Sequence, residues 1–461
     1  MSYQLLTQKH PSLTYQSYSH SIENKQLFIN YHYQLANGPL FQHQLIFPLP
    51  HPQPFINQSP TLINNLIFNL GLIELFSYWK LACSPEIIIN CGSLNQDQLN
   101  YWHHLLLNGM GEFFYLNQID FTSPNFVTFI TNNQQTNTAI PAHKNHSHRL
   151  SALNLGGGKD SAVMLDFFSS SPETFINLIL TPASPAASKM AQLHSVPTYQ
   201  IQRQFDSQLI DLNQKNYLNG HVPFSASLAF INLLASIIYD FDYAVVGNEH
   251  SANEQTLNWL SQPINHQYSK STNFEQRFRE YSKKYLIDNV EYFSLIRPFS
   301  ELKVAQIFST LTPYFEIFKS CNRGQKTNSW CHQCPKCLFV FLILFPFIDE
   351  QILTTKIFNH HLFNDLSLLP ILQKLIGQTD AKPFECIGTI IESQTAFHLS
   401  LQKYLNNNRA LPPLLAAVKT RNLPPSPTLN SYAQTLLNSF YHPHFLPSWA
   451  LSMLQSTYAK N

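Results

Sequence analysis

One stretch limits what this chain of 461 residues can fold into more than any other: Leu153-Asn154-Leu155-Gly156-Gly157-Gly158-Lys159-Asp160-Ser161. An apolar, strand-like run enters three glycines, and a helical pattern starting Ala162-Val163-Met164-Leu165 leaves them. Glycines allow a sharp turn and a close approach of backbone to an anion. The first amides of a helix have no partner within it, and the helix dipole adds positive potential there. Lys159 brings a full positive charge and Ser161 a hydroxyl donor. Asp160 brings a carboxylate that can hold magnesium against phosphate oxygens. Gly156, Gly157, Gly158, Lys159, Asp160 and Ser161 are therefore the expected nucleotide-binding residues.

Two familiar phosphate loops do not fit. A Walker A loop needs Ser or Thr after Gly-Lys and a glycine five residues before the second one, where this chain has Asp160 and Leu153. The dinucleotide fingerprint needs a third glycine where Ser161 stands. The segment instead resembles the Ser-Gly-Gly-x-Asp-Ser signature of the PP-loop ATP pyrophosphatases, with Gly156 in place of the first Ser. That resemblance implies cleavage of ATP between its α and β phosphates, with AMP passing to a substrate oxygen. The competing reading is an ordinary strand-to-helix turn, in which Lys-Asp-Ser would have no purpose.

Around the loop, the pattern predicts α/β organisation. Phe175 to Leu180, Tyr199 to Gln202, Tyr243 to Val246 and Phe293 to Ile296 read as buried strands, with helices over Ser225 to Tyr239 and Glu301 to Leu311. Alternating strands and helices indicate a doubly wound, mostly parallel sheet, whose ligands bind beyond the strands' carboxyl ends. This would be a nucleotide-binding domain over 150–350. It would follow an N-terminal α+β domain over 1–145 and precede a helical C-terminal extension over 351–461. In the first domain, Gln26 to Leu35 and Phe41 to Leu49 read as antiparallel strands, Pro60 to Cys83 and Asn95 to Asn108 as helices, and Glu86 to Cys91, Gly111 to Tyr115 and Asn125 to Ile130 as further strands. Gly109 is placed to end the second helix. Thr131 to His148, polar and with His143, His146 and His148, reads as a solvated linker rather than a metal site, because no carboxylate or cysteine joins the histidines. In the extension, Leu411 to Val418 and Tyr432 to Phe440 read as helices.

Seven cysteines is an odd number, and Cys321, Cys331, Cys334 and Cys337 cluster in a C-x9-C-x2-C-x2-C pattern. Such spacing brings thiolates onto one ion, and four complete a tetrahedral shell with no position open to substrate, so a structural zinc is expected. An iron–sulfur cluster and a group of buried thiols are the competing readings. A metal site in a reducing compartment, a polar N-terminus and no membrane-length apolar run point to a cytoplasmic protein without membrane insertion. Lys+Arg and Asp+Glu number 28 and 27. That balance argues against a large nucleic-acid footprint.

The chain further resembles the bacterial ATP-dependent UDP-N-acetylmuramoyl-L-alanyl-L-glutamate epimerases of peptidoglycan synthesis. The likeness rests on Gly109-Met110-Gly111-Glu112-Phe113-Phe114-Tyr115, the glycine loop, Gly247-Asn248-Glu249 and Ser300-Glu301-Leu302-Lys303. It continues through Ser320-Cys321-Asn322-Arg323, Trp330 to Cys337, and Lys382-Pro383-Phe384-Glu385-Cys386. The resemblance implies a nucleotide-sugar peptide substrate, ATP and magnesium, and adenylation of the glutamate α-carboxylate so that the α-proton can leave and return on the other face. Cys386 is the first acid/base candidate, since a thiolate of lowered pKa suits α-proton chemistry. Against this, a lone cysteine is more often a small buried apolar residue. Glu249 is the second candidate, although a strand-end carboxylate also suits ATP or magnesium. Arg297, Arg323, Lys303 and Lys336 are candidates for substrate carboxylates or phosphates, or for structural ion pairs. Two other PP-loop reactions compete: amidation of the 7-cyano-7-deazaguanine synthase kind and tRNA thiolation. A zinc-stabilised nucleotide-binding module without turnover is the non-enzymatic alternative.

Overall fold

The computed structural model describes residues 2–131, 138–144, 149–182, 184–325, 327–379, 381–419 and 423–458. Its strands are β1 (Ser12–Glu23), β2 (Gln26–Leu35), β3 (Leu40–Pro48), β4 (Glu86–Ile89), β5 (Thr128–Thr131), β6 (Leu150–Asn154), β7 (Thr174–Thr181), β8 (Thr198–Gln204), β9 (Tyr243–Val246), β10 (Leu257–Trp259), β11 (Gln262–Ile264) and β12 (Glu291–Ser294). Ten of them form one sheet in the order β12-β9-β6-β7-β8-β3-β2-β1-β4-β5, and β10 and β11 make a separate hairpin. The first five in that order run parallel. Chain order reverses between β6 and β9, so their carboxyl ends open a crevice at the switch point of the sheet.

Both faces of β6, β7, β9 and β12 are largely buried, which is why these strands read as apolar runs rather than alternating ones. Leu153 and Val245 face one core with the helices Lys159–Ser169 and Glu301–Phe308. Ala152, Ala244 and Val246 face the other with the helix Phe224–Ile238. The helix Pro60–Trp79, capped by Ser59, is buried on nearly all sides because it lies between the antiparallel strands and Phe224–Ile238. It ends earlier than its apolar pattern indicates.

The N-terminal strands continue the same sheet. β3 pairs antiparallel with β8, Leu45 opposite Arg203. Behind that joint, Arg203 Nη2 and His43 Nε2 reach the wholly buried Glu74 carboxylate at 2.6 and 3.1 Å. Burial pushes Glu74 up, but Arg203 and His43 outweigh it and hold the carboxyl down at about 2. One core is shared across the joint, with Trp102 stacked on Phe230 at 5.1 Å. The described part of the expected linker is bonded to this body. Ala139 and Ile140 amides donate to Lys284 and Leu286 carbonyls, and Gln58 holds His143 by its backbone. His146 and His148 lie outside the described residues.

Two local expectations are corrected. Gly111 to Tyr115 is not a strand but part of the short helix Gly111–Leu116, since Phe113 and Phe114 bury against Trp79, Phe121 and Phe126 rather than alternating across a sheet. Gly109 does not cap its helix. It is the last residue of Gln96–Gly109, and a Cβ there would stand 2.9 Å from the Pro223 Cβ. Close approach of the chain, not a left-handed turn, accounts for this glycine. In the C-terminal third, helices Ile390–Asn406 and Ser426–Asn438 pack together and against the sheet-covering helices. Of the two helices expected there, the first shortens to Pro413–Ala416.

Candidate active site

The glycine loop lies at the β6 carboxyl end, as its strand–turn–helix pattern requires. Gly157 has φ +85°, and a Cβ on it would stand 2.7 Å from the Ala187 amide nitrogen. Only glycine fits that turn. The Gly156 amide donates to Ser161 Oγ at 3.0 Å, and the Lys319 amide donates to the Gly157 carbonyl at 3.0 Å. Gly158 begins the helix Lys159–Ser169 without a capping side chain, which leaves the first-turn amides for an anion. Lys159 is 2 % exposed and turned inward: its Nζ donates to Asp160 Oδ1 at 2.5 Å and to Glu301 Oε2 at 2.8 Å.

Glu249 follows β9 and Glu301 opens its helix, and both side chains are buried. With Asp160 they bring carboxylate oxygens within 4.8 Å of one another. Burial pushes Glu301 up to about 8, against the pull of Lys159. A hard divalent cation with oxygen ligands fits this donor set.

The loop opens on a cleft of about 260 Å³ whose walls include Gly156, Gly158, Asp160 and Ser161. Lys270, Lys336 and Cys386 line the same cleft. An apolar annex of about 130 Å³ adjoins it, walled by Leu155, Leu180, Pro182, Phe224 and Leu228. The sequence-derived loop residues and Cys386, more than two hundred positions apart, thus meet in one cavity.

Cys386 sits on a loop held from several sides. The Lys336 ammonium donates to the Cys386 carbonyl, Asn322 donates to Glu385, and Gln267 donates to the Ile387 carbonyl at 3.0 Å. The sulfur lies 3.5 Å from Lys270 Nζ and 3.8 Å from His266 Nε2. Burial pushes the thiol up, but Lys270, His266 and Lys336 overcome it and bring the thiol down to about 6. On the far side of the ring, His266 Nδ1 hydrogen-bonds Glu112. Desolvation opposes a charged His266, yet Cys386 and Glu112 raise it to about 9. Sequence reading did not assign Lys270, His266, Glu112 or Glu301. Glu112 and Glu301 stand within recognised motifs that carried no role, and the stretch holding His266 and Lys270 has no motif at all.

Of the basic candidates, Lys336 reaches the cleft. Arg297 is wholly buried and bonds Glu275, the Glu249 carbonyl at 2.9 Å and the Lys270 carbonyl at 2.6 Å. It clamps two segments of the site instead of meeting a ligand. Lys303 bonds Gln306, and Arg323 is exposed.

The four clustered cysteines converge beside the cleft. Sulfur–sulfur distances are 3.9 Å for Cys321–Cys334, 3.8 Å for Cys331–Cys337 and 3.5 Å for Cys334–Cys337. A tetrahedron with zinc–sulfur bonds of about 2.3 Å has edges of about 3.8 Å, so the thiols fit one ion. A multi-iron cluster standing between them needs a wider spacing. Cys334 also caps the buried helix Pro335–Leu344, which leads from the four-cysteine cluster into the core.

Fold and site together define an α/β protein in which a glycine-rich strand-to-helix loop and a thiol of lowered pKa line one cleft, with a carboxylate cluster at its edge and four converging cysteines beside it that could hold a metal ion. Family models described as the MurL N-terminal domain and the MurL C-terminal domain match residues 6–295 and 317–424. The chain belongs to the MurL family. A relative from Xanthomonas oryzae pv. oryzae named UDP-N-acetyl-alpha-D-muramoyl-L-alanyl-L-glutamate epimerase is 33% identical over 73% of this chain and 75% of its own length. Relatives of the same name from Salinispora tropica and Micromonospora sp. are each 29% identical over 84% of this chain, and over 84% and 86% of their own lengths. No solved structure matches. No helix among the described residues is long and apolar enough to cross a membrane.

Proposed function

We propose that the protein inverts the glutamate Cα of UDP-N-acetylmuramoyl-L-alanyl-L-glutamate, from L to D, at the expense of ATP. The observation that carries this reading is the shared cleft: the anion loop and the activated Cys386 thiol face the same space, with Lys270 beside the sulfur. The name of the relatives supports the substrate. The chemistry explains the combination. A glutamate nitrogen locked in an amide cannot form a Schiff base, and a negative α-carboxylate opposes a second negative charge at Cα. Attack of that carboxylate on the ATP α-phosphorus releases pyrophosphate and gives a mixed anhydride in which the acyl carbonyl carries no charge and the remaining negative charge sits on the AMP phosphate, so the α-proton is acidified. Cys386 is assigned to proton transfer at Cα. Water then releases AMP and the D-glutamyl product.

The annex suits the purine, and the loop amides suit the departing pyrophosphate. Asp160, Glu249 and Glu301 would hold magnesium, which neutralises phosphate charge. Glu249 is accordingly assigned to the cation rather than to the α-proton. The four-cysteine site is assigned to structural zinc, because all four ligands come from the protein. Incubation with ATP, magnesium and the L,L-substrate in deuterated water tests the reaction. AMP and a D-glutamyl product carrying deuterium at Cα are expected. Metal-loaded protein that forms neither would refute it.

A further inference from the structure

Two neighbours of Cys386 bear on how it works, and neither can act across a substrate from it. A proton-transfer atom needs to lie about 3 Å from its target, so two groups on opposite faces of one carbon stand about 6 Å apart. His266 Nε2 and Lys270 Nζ are 3.8 and 3.5 Å from the sulfur. They must act through it.

We propose that Glu112 and His266 are positioning residues that hold Cys386 as a thiolate before substrate arrives: Glu112 anchors Nδ1 of the ring, so that Nε2 faces the sulfur as a charged donor. The three residues come from the helix Gly111–Leu116, the segment after the β10–β11 hairpin and the Cys386 loop. The assignment rests on the proposed role of Cys386 and deepens it. His221 shares Glu112, its Nδ1 being 3.6 Å from the carboxylate, and its ring centroid is 4.7 Å from that of His266. Burial, followed by the His266 charge, lowers His221 to about 4. A neutral His221 leaves the Glu112 charge to His266. The other charged groups around the thiol are Lys270, Lys336 and Glu385, with Asp160 and Glu249 beyond Lys270. The cations outweigh the single carboxylate on the Cys386 loop.

The test is the pH dependence of Cys386 alkylation by iodoacetamide in the full-length, metal-loaded protein, read on the Cys386 peptide by mass spectrometry without ATP or muramoyl substrate. The wild type is expected to alkylate with a midpoint near pH 6. His266→Gln should raise the midpoint by about 1 unit or more, and Glu112→Gln should move it the same way by less. Unchanged metal content and circular dichroism show that each variant is folded. Midpoints in both folded variants within about 0.3 unit of the wild type would overturn the proposal, since removing a charged neighbour shifts a pKa by about 1–3 units. A second tightly held metal ion per chain, lost in His221→Ala, would also overturn it by making Glu112, His221 and His266 ligands. Reaction and assignment fail separately: a protein with the predicted midpoints but no epimerisation refutes the reaction alone.

Discussion

Replacing Lys270 by Met should convert an enzyme active at neutral pH into one that works only in alkali. At 3.5 Å from the sulfur, a unit charge in surroundings of effective dielectric about 20 favours the thiolate by about 5 kcal/mol, or about 3.5 pKa units. Partial exposure of the cleft reduces this to about 2–3 units. The thiol, brought to about 6 in the intact site, would then titrate at about 8–9. At pH 7 the thiolate fraction falls from about 90 % to between about 10 % and 1 %, so the rate should fall about ten- to hundredfold. The sign follows from the charge: losing a cation raises the thiol pKa, so activity is lost as pH falls through the new, higher value. Initial rates of D-glutamyl product formation across pH 5.5–10 would show the acid limb moving up by about 2–3 units, with recovery above about pH 9. Recovery separates a charge effect from misfolding. An acid limb that stays in place, or a loss that persists at every pH, would refute the claim that Lys270 acts through the thiolate.

Removing the metal from the four-thiol site should melt the anchorage of the Pro335–Leu344 helix. Cys334→Ala is expected to drop metal content from about one ion per chain to none and to lower Tm by about 10 °C or more, measured by elemental analysis and calorimetry. Gly157→Ala forces a Cβ to within 2.7 Å of the Ala187 amide at φ +85°. It should cost about 1–2 kcal/mol for the left-handed backbone alone and abolish ATP-dependent pyrophosphate release. Gly156→Ala, with no atom within 4 Å of its Cβ, should leave Tm unchanged.

The strand–turn–helix of the loop and the convergence of the four cysteines were legible because each is nearly contiguous. Gly156 to Ser161 form one turn, and the four cysteines lie between positions 321 and 337, so spacing alone places these residues together. β6, β7, β9 and β12 were legible as apolar runs because both faces are largely covered. Gly111 to Tyr115 misled because aromatic residues favour strands by propensity, whereas burial of Phe113 and Phe114 decided for a helix. Arg297 stayed open between a ligand contact and a structural ion pair, because its spacing serves either; its complete burial and its pairing with Glu275 decide for the second and show it tying Glu249 to Lys270.

The sequence by itself determined the family, the α/β class, the glycine turn between strand and helix and the four-cysteine cluster, all patterns that local spacing carries without coordinates. Tertiary structure decided what Cys386 is. A lone cysteine has no informative spacing, and its reactivity depends on the potential at the sulfur. Here His266, Lys270 and Lys336, from two separate places in the chain, bring the thiol down, and Glu112, from a third, hydrogen-bonds the far side of the His266 ring. It also decided that the N-terminal strands and the nucleotide loop stand on one sheet, because the β3–β8 ladder and the buried Glu74–Arg203 pair form only between segments far apart in the chain.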